Sequence, residues 1–388
     1  MAKRQINVAL IGYQFMGKAH SNAYRQVGRF FDLDVEPVMK VLVGRSEHKV
    51  KAAAENFGWQ EYATNWEEVI HRPDIDLIDI GTPNDTHAAI SQAALKAGKH
   101  VLCEKPLANT VADAKESYDV AKQTGLINGI CHNYRKAPAI AMAAQMVRDG
   151  KLGAIRHFRG TYLQDWIVDP SVPLVWRLDK NIAGSGSHGD LNAHLIDTAR
   201  FVMGAEFTEV IGLAETFIKK RPLLADTDGG LTGFKASGEM GDVTVDDVTA
   251  FLARFNNGAT ATFEATRLAP GRKNYNRWEI NGEKGSIAFN LERMNEIEIY
   301  LNDDPQGLQG FHTIQATENF MPYMEGYWPV AHIIGYEHTF INMMKDLFQA
   351  IGKGEQFTPD FEDGLKNQAV LEAVDKSVQS RQWERPAF

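Results

Sequence analysis

Two patterns of apolar and polar residues alternate along the first third of the chain. One is a short apolar run rich in β-branched residues, which predicts a buried strand. Such runs occur at residues 5–11, 38–43, 76–80, 100–103 and 126–131. The other is a longer stretch of helical composition, found at residues 16–28, 47–57, 88–97 and 111–123. Strands that alternate with helices at this spacing predict βαβ units and a doubly wound parallel sheet.

The pattern changes after residue 150, where polar and apolar residues begin to alternate one by one. Residues 249–255 and 259–266 flank an Asn-Asn-Gly turn and predict an antiparallel hairpin, and residues 278–290 predict a second one. The alternation indicates strands with one face in solvent. Residues 223–242 are rich in Gly, Asp and Thr and predict an exposed loop.

We therefore predict an α/β protein of two domains. Residues 1–135 form a Rossmann-type domain with the doubly wound parallel sheet. Residues 136–388 form an α+β domain with a large open, mostly antiparallel sheet. A length of 388 residues fits this division, because domains usually contain roughly 100–200 residues.

Composition and charge exclude several classes of protein. The chain has 50 acidic and 41 basic residues, a formal net charge of -9, which is a poor match for a nucleic-acid backbone. No apolar stretch approaches the ~20 residues of a membrane span, and the apolar run at residues 8–11 is too short for a signal peptide. The two cysteines, Cys103 and Cys131, cannot form a disulfide framework or a four-thiolate zinc site. We expect a cytoplasmic protein that acts on a small molecule.

A glycine turn follows the first predicted strand and opens the first predicted helix. Dinucleotide pyrophosphates bind at such a turn, on the helix N-terminus. Gly12 and Gly17 match the first and third positions of the G-x-G-x-x-G pattern, but Gln14 occupies the second. Phe15 and Met16 complete the turn. The motif predicts a cofactor of the NAD or NADP type.

The end of the second strand bears on the choice between these cofactors. NAD sites usually carry an acidic residue there, whereas Gly44-Arg45-Ser46 has none before Glu47. Arg45 suits a 2′-phosphate, which favours NADP slightly. A solvated Arg45 near the adenine would leave NAD equally acceptable.

Several motifs in combination resemble the Gfo/Idh/MocA oxidoreductases, over nearly the whole chain. They are Gly12 to Gly17 with Lys18-Ala19-His20, Thr82-Pro83-Asn84 with His87, Glu104-Lys105-Pro106, Asn133-Tyr134-Arg135, and the pair Asp190 and His194. The spacing of four places that pair on one face of a helix. The family includes sugar and inositol dehydrogenases. The chain departs from its pattern at Gln14 and at the second strand end.

The resemblance implies that Lys105, Asp190 and His194 are catalytic. Oxidation of an alcohol removes a hydroxyl proton as a hydride leaves, and a neutral His194 with a pKa of about 6.5 is suited to accept that proton. Asp190 would orient the imidazole or bind a hydroxyl, and Lys105 would bind the reacting oxygen or relay the proton. The resemblance also implies a set of cofactor-binding residues: Gly12, Phe15, Met16, Gly17, Arg45, Ser46, Thr82, Pro83, Asn84, His87, Glu104, Lys105, Asn133 and Arg135.

The expected substrate is a cyclic sugar or polyol, and its recognition falls to aromatic and polar residues. These are Tyr134, Gln164, Asp165, Trp166, Trp176, Arg177 and Tyr336. Aromatic residues at such positions are as often core or interface residues. Segments around residues 161–166, 176–177 and 326–329 look closest to levoglucosan dehydrogenases and other glycoside 3-dehydrogenases. This implies oxidation at C3 of an anhydrosugar or glucoside, with inositol as the further candidate.

Other interpretations remain open at this stage. One is a glycosidase that retains NAD and cleaves by transient oxidation and elimination, and another is a dinucleotide sensor without catalysis. His188, Asp190 and His194 have metal-ligand chemistry but lack an H-E-x-x-H motif or a thiolate pair, so we expect no metal. By resemblance, the second domain's sheet forms a homodimer or homotetramer.

Overall fold

The structure is a computed structural model that describes residues 3–225 and 236–388. The chain divides into two compact units. The first comprises Met1–Asn133 and Tyr336–Gln368, and the second comprises Tyr134–Gly335 and Ala369–Phe388. The predicted boundary at residue 135 lies close to the first division. The predicted second domain also contained residues 336–368, which instead group with the first unit.

The first unit is built on a six-stranded parallel sheet with the strand order β3-β2-β1-β4-β5-β6. Its strands are β1 (Arg4–Ile11), β2 (Val35–Val43), β3 (Glu61–Ala63), β4 (Leu77–Ile80), β5 (His100–Cys103) and β6 (Asn128–Ile130). The connecting helices are α1 (Phe15–Phe30), α2 (Glu47–Phe57), α3 (Trp66–Ile70), α4 (His87–Lys96) and α5 (Val111–Thr124). The predicted Rossmann-type doubly wound sheet is confirmed.

Two short elements of this unit were not predicted. Strand β3 has three residues, none fully buried, so it lacks the apolar run that marks the central strands. Helix α3 has five residues and begins after Asn65, whose side chain accepts a hydrogen bond from the Glu67 amide. That cap satisfies one of the amide groups that a helix start leaves without a partner.

A late helix, α9 (Glu337–Lys353), also belongs to the first unit, and it packs against α1. Its Phe348 ring lies edge-on to Tyr24 at 5.9 Å, and its Lys345 ammonium lies 4.8 Å from the Phe31 ring. These contacts explain why residues 336–368 group with the N-terminal sheet.

The second unit contains an eight-stranded sheet with the order β16-β15-β14-β13-β7-β12-β11-β8. Its strands are β7 (Ile155–Leu163), β8 (Phe207–Glu215), β11 (Val248–Phe255), β12 (Thr260–Thr266), β13 (Tyr275–Gly282), β14 (Gly285–Asn290), β15 (Glu296–Leu301) and β16 (His312–Gln315). β7 and β12 run parallel, and the other neighbouring pairs run antiparallel. The prediction of a mostly antiparallel sheet is confirmed, and both predicted hairpins are present.

Residues of this sheet alternate between burial and exposure. The buried face presents stacked aromatic rings, with Phe251 and Phe263 centroids 4.4 Å apart and Phe158 5.5 Å from Phe263. The other unit-two helices are α6 (Pro138–Arg148), α7 (Lys180–Ala183) and α8 (Ala193–Met203), and α10 (Phe361–Ser380) closes the chain. Within the described ranges, no helix has both the length and the apolar composition to cross a membrane.

The loop predicted at residues 223–242 is only partly described. Its ends belong to two paired antiparallel strands, β9 (Lys220–Leu224) and β10 (Ala236–Asp242), so the prediction was wrong there. β10 is mostly exposed and β9 is only partly buried, so neither shows the regular alternation of apolar and polar residues that marks a half-buried strand. Residues 226–235 lie outside the described residues.

Candidate active site

The glycine turn of the first unit brings three backbone segments too close together for side chains. Gly12 has a φ of 112°, and a Cβ there would lie 2.5 Å from the Gly81 carbonyl oxygen. A Cβ on Gly17 would lie 2.2 Å from the Gly12 carbonyl oxygen. Helix α1 begins directly after Gln14, whose side chain forms no cap, and its first turn carries no acidic residue. The residues present therefore fit a pyrophosphate on these amide groups.

Around this turn, the predicted cofactor residues differ in exposure. Phe15 is 46% exposed at the start of α1, and Met16 is half-buried. Arg45 is exposed after β2, and Ser46 precedes α2 without a capping hydrogen bond from its side chain. The Tyr13 ring packs over the Gly44 backbone, where a Cβ would lie 2.2 Å from it.

Two loops at the carboxyl ends of β4 and β5 are joined by a histidine. Thr82, Pro83 and Asn84 follow β4 and are half-buried. The buried His87 ring lies between the loops, with Nε2 2.9 Å from the Thr82 carbonyl oxygen and Nδ1 2.7 Å from that of Pro106. Burial lowers the pKa of His87. The ring thus positions the loop that carries the candidate lysine.

Glu104 lies beneath that loop and uses both of its carboxylate oxygens. Oε2 accepts a hydrogen bond from the Lys105 amide at 3.1 Å, and Oε1 accepts one from His20 Nε2 at 3.0 Å. His20 Nδ1 lies 2.8 Å from Asp79 Oδ2, and the Tyr24 hydroxyl donates to the same oxygen at 2.7 Å. Lys105 itself is half-buried.

Burial and charge oppose each other in this network. Burial would lower the pKa of His20, but the charge and hydrogen bond of Asp79 outweigh it and raise that pKa well above 6.5. Burial would likewise raise the pKa of Glu104, but its hydrogen bond and ion pair with His20 leave that pKa lowered. A charged imidazolium between two carboxylates is consistent with both directions.

Donor atoms of His20, Glu104 and Cys131 lie within 4.8 Å of one another, close enough to share a metal ion. These groups already satisfy one another, since His20 Nε2 contacts Glu104 at 3.0 Å and the Cys131 sulfur at 3.5 Å. The arrangement is accounted for by hydrogen bonds alone.

In the second unit, Asp190 and His194 lie where two kinds of helix join. Asp190 is in a π-helical turn, His188–Asn192, and His194 is in the first turn of α8. Single π-helical turns occur frequently at functional sites. Asp190 is half-buried and His194 is 8% exposed.

A half-buried aspartate, Asp246, fixes the segment that leads into this turn. Asp246 accepts hydrogen bonds from the Gly186 and His188 amides at 2.6 and 2.8 Å. It also accepts them from the hydroxyls of Ser187 and Thr249 at 2.6 and 3.0 Å. Asp246 is 58 positions along the chain from His188, so local motifs gave no signal for it.

His188 does not join Asp190 and His194 as a ligand would. Its Nε2 lies 3.0 Å from the Leu371 carbonyl oxygen, and its Nδ1 lies 3.2 Å from Asn192 Nδ2. Both ring nitrogens of His188 therefore contact polar groups of the fold, which gives this histidine a structural role.

Asp190 has a cationic neighbour that the sequence did not single out. Arg267 Nη1 lies 3.7 Å from Asp190 Oδ2, and the Arg267 side chain is 1% exposed. Its guanidinium lies 5.6 Å from the Trp166 ring centroid. The guanidinium of Arg177 lies 4.2 Å from the ring centroid of the other predicted tryptophan, Trp176. Arg267 was missed because it lies just beyond a strand, outside any short motif.

His194 lies in a cluster of aromatic and amide side chains. The Tyr134 ring stacks on His194 at 4.3 Å, and its hydroxyl lies 2.8 Å from that of Tyr162. Asn274 Oδ1 accepts hydrogen bonds from Tyr162 at 2.7 Å and from Gln164 Nε2 at 2.9 Å. Because Tyr162 has one proton and donates it to Asn274, Tyr134 donates to Tyr162. Asn274 was not predicted.

Two predicted ligand-binding residues have charged partners within the fold. Arg135 forms a buried bidentate ion pair with Asp197, at 2.9 and 2.6 Å. Asp165 forms an ion pair with Lys273 at 2.7 Å and accepts a hydrogen bond from the Gly271 amide at 3.1 Å. These partners favour structural roles for both residues.

Two further predicted residues group with the first unit. The buried Asn133 donates to the Thr339 hydroxyl at 2.8 Å. Tyr336 precedes α9, and its ring meets that of Phe340 edge-on at 5.4 Å. The substrate role of Tyr336 stays a prediction, and the structure places its ring against Phe340 of α9.

Comparisons with known proteins identify the family. Residues 6–132 match the model of the oxidoreductase family with an NAD-binding Rossmann fold. Residues 140–288 match the GFO/IDH/MocA C-terminal domain. The chain belongs to the Gfo/Idh/MocA oxidoreductases. Both halves of the predicted family resemblance are confirmed.

Several known proteins are similar along the whole chain. Levoglucosan dehydrogenase of Pseudarthrobacter phenanthrenivorans is 43% identical over 385 residues, which cover 98% of each chain. A solved levoglucosan dehydrogenase in complex with NADH and levoglucosan has a TM-score of 0.93 and 41% identity, covering 99% of this chain and 100% of the other. An oxidoreductase domain protein from Kribbella flavida has a TM-score of 0.94 and 48% identity, with both chains fully covered.

These findings support an NAD-binding Gfo/Idh/MocA enzyme and give no support to the preference for NADP. The matched N-terminal model is described as NAD-binding, and the similar structure contains NADH. Arg45 is exposed, as expected of the solvated arginine that is compatible with NAD.

Proposed function

We propose that this chain is an NAD-dependent dehydrogenase that oxidises a secondary hydroxyl of a cyclic sugar. An anhydrosugar such as levoglucosan, oxidised at C3, is the first candidate. The observation that carries this proposal is the 43% identity to levoglucosan dehydrogenase over 98% of both chains. Glucosides and inositols are further candidates.

The cofactor residues of the first unit suit this function. The amide groups after Gly12 and at the start of α1 would hold the pyrophosphate, with Phe15 beside them. Bound NAD would accept the hydride from the sugar carbon. Lys105 would donate a hydrogen bond to the reacting oxygen and stabilise its developing negative charge.

The residues of the second unit suit proton transfer and sugar binding. His194 would accept the hydroxyl proton, and Asp190 would orient it or bind a neighbouring hydroxyl. Arg267, 3.7 Å from Asp190, favours the ionised carboxylate. The Asn274 oxygen receives two hydrogen bonds from the protein, so its amide nitrogen is the group suited to donate to a sugar oxygen.

The test is the absorbance of reduced nicotinamide in the presence of NAD or NADP and a panel of levoglucosan, glucose, methyl glucosides, xylose and inositols. The proposal predicts reduction of NAD with levoglucosan. Turnover without reduced cofactor, together with NAD released only on denaturation, would replace it by the NAD-retaining glycosidase. A chain that binds NAD and transforms no sugar would favour the dinucleotide sensor.

Substitution of the lysine tests the assigned chemistry. Lys105→Ala should reduce kcat by at least about 100-fold, because one preorganised donor to a developing oxyanion contributes about that factor. NAD binding should remain within about twofold, which corresponds to ~0.4 kcal/mol. Lys96→Ala, on an exposed position of α4, is the matched control and should retain full activity. An active Lys105→Ala enzyme would reject the assignment.

The homodimer or homotetramer implied by the resemblance remains a proposal. Light scattering on the eluting protein would measure the mass against 43.3 kDa for one chain. A mass of two or four chains would support it, and a mass of one chain would reject it.

A further inference from the structure

The His20 imidazole, in the first unit, faces a hydrogen-bond acceptor at each ring nitrogen. Nδ1 faces Asp79 and Nε2 faces Glu104, at 2.8 and 3.0 Å. Ionised carboxylate oxygens only accept hydrogen bonds, and a neutral imidazole has a single N–H. Both contacts are hydrogen bonds only if the ring carries two protons. The geometry therefore indicates a buried imidazolium.

The second hydrogen bond of each carboxylate supports the same charge state. Tyr24 donates its hydroxyl to Asp79, and the Lys105 amide donates to Glu104. A proton placed on either carboxyl group would compete with these donors. Burial raises the pKa of Tyr24, which keeps the phenol protonated and able to donate.

The remaining neighbours of the ring carry no charge. Burial raises the pKa of Cys131, so it remains a thiol, and its Sγ–H donates to Met343 Sδ at 3.3 Å. Helix α9 contributes the Phe340 ring, 5.5 Å from the imidazole. One cation and two anions thus form the charged part of the cluster, and the cation lies between the anions.

We propose that His20 is a positioning residue that acts on Lys105 through Glu104. The imidazolium fixes the Glu104 carboxylate, and this carboxylate fixes the backbone amide from which the Lys105 side chain departs. This inference rests on the proposed role of Lys105 in the dehydrogenation. His20 itself is fully buried.

Loss of the cation would leave two buried carboxylates that repel each other. Asp79 and Glu104 would protonate or rotate, and the Lys105 amide would lose a charged acceptor. A displacement of about 1 Å at a reacting group lowers a rate by about 100-fold. The effect falls on kcat, because neither carboxylate is exposed to bind a ligand.

The kinetic test compares His20→Gln and Glu104→Gln with the control Tyr24→Phe. The first two should lower kcat by about 10- to 100-fold, with KM for NAD within about twofold. Their effects should not add in the double variant, since both act through one hydrogen bond. Tyr24→Phe leaves the His20 to Glu104 contact in place and should reduce kcat by less than about threefold. A His20→Gln enzyme with wild-type kcat would overturn the proposal.

A spectroscopic test covers the case in which His20→Gln does not fold. In the wild-type holoenzyme, ¹⁵N NMR should show both His20 nitrogens protonated at about pH 8, where an ordinary histidine is neutral. A neutral ring would overturn the proposal regardless of activity. A wild-type chain without sugar dehydrogenase activity would reject the proposed function instead. In that case the amide chemical shift of Lys105 still tests the positioning of the backbone. A shift that changes in Glu104→Gln and not in Tyr24→Phe would support the proposal, and a shift unchanged in both variants would overturn it.

Discussion

The two units hold carboxylates in place in different ways. In the first unit, Asp79 and Glu104 share a cation, since the His20 ring lies between them. In the second unit, the four groups that donate hydrogen bonds to Asp246 are neutral, two backbone amides and two hydroxyls, and charged groups also lie near it. Burial would raise the pKa of Asp246, but the charge of His188, these hydrogen bonds and the charge of Arg267 lower it.

The difference concerns what a change of pH can disturb. The first cluster depends on a proton held by an imidazole, which titrates nearer to neutrality than a carboxyl group does. The donors on Asp246 do not titrate in that range, because amide and aliphatic hydroxyl protons remain bound. The first arrangement should respond to alkaline pH, whereas the second should hold its turn in place across the same range.

Removal of the Asp246 carboxylate should have the largest effect. Asp246→Ala leaves the Gly186 and His188 amides and the Thr249 hydroxyl without this acceptor, and one such donor costs about 1–3 kcal/mol. The Ser187 hydroxyl can still donate to the Ala265 carbonyl oxygen at 3.1 Å. We expect the free energy of unfolding to fall by at least about 3 kcal/mol. Urea unfolding measures it. Asp242→Asn, which removes an exposed ion pair with Lys220, should change it by less than about 1 kcal/mol. A similar loss in both variants would contradict the role assigned to Asp246.

The pH dependence of stability should separate the clusters next. The raised pKa of His20 means that the folded chain holds a proton that the unfolded chain has released above about pH 6.5. The contribution is complete below that pH and is lost as pH rises through the folded pKa, at up to about 1.4 kcal/mol per pH unit. Urea unfolding of the wild type should show this slope on the alkaline side, and His20→Gln should lack it. Equal slopes would contradict an imidazolium.

A third prediction concerns the neutral network of the second unit. Asn274→Ala removes the acceptor of Tyr162 and Gln164, at 2.7 and 2.9 Å. The substitution also removes the amide N–H proposed to donate to a sugar hydroxyl. The kcat/KM for the sugar should therefore fall about 5- to 30-fold, or ~1–2 kcal/mol. The kcat/KM for NAD should stay unchanged. A sugar analogue with fluorine in place of the bound hydroxyl keeps a hydrogen-bond acceptor. Its kcat/KM should therefore still be lower with Asn274→Ala than with the wild type. An analogue that lacks this hydroxyl should lower kcat/KM in the wild type and not further in the variant. An equal fall in kcat/KM in both enzymes would reject this contact.

The smallest effect should come from an exposed cation. Arg45→Ala removes a solvated charge after β2, so KM for NAD should change by less than about twofold. KM for NADP, measured with the same enzyme, provides the comparison. A much larger rise for NADP than for NAD would restore the 2′-phosphate role of Arg45.

The fold was largely predictable, because it depends on periodicity. The central strands of the first unit are continuous apolar runs, and helix α2 was predicted at its observed bounds, residues 47–57. Elements without an apolar run or a regular apolar alternation were not predicted, such as β3 and the pair β9 and β10. Residues 336–368 group with the first unit, which sequence order does not reveal because it does not show that α9 packs against α1.

The candidate site was predictable where a motif is local. Gly12, Gly17 and Lys105 lie in short patterns at strand ends, where ligands bind in such sheets. Asp79 lies within the buried run of β4 and forms a contact 59 positions away. Arg267 and Asn274 depend equally on pairings between distant strands, which no short motif records.

The most direct test of the central claim follows the hydride itself. The proposed sugar, deuterated at C3, would be oxidised with NAD, and the reduced nicotinamide would be examined by mass spectrometry. The account predicts one deuterium in the reduced cofactor and its loss from the sugar, with Lys105→Ala forming almost none. Reduced cofactor without deuterium, or sugar turnover with no reduced cofactor, would contradict it.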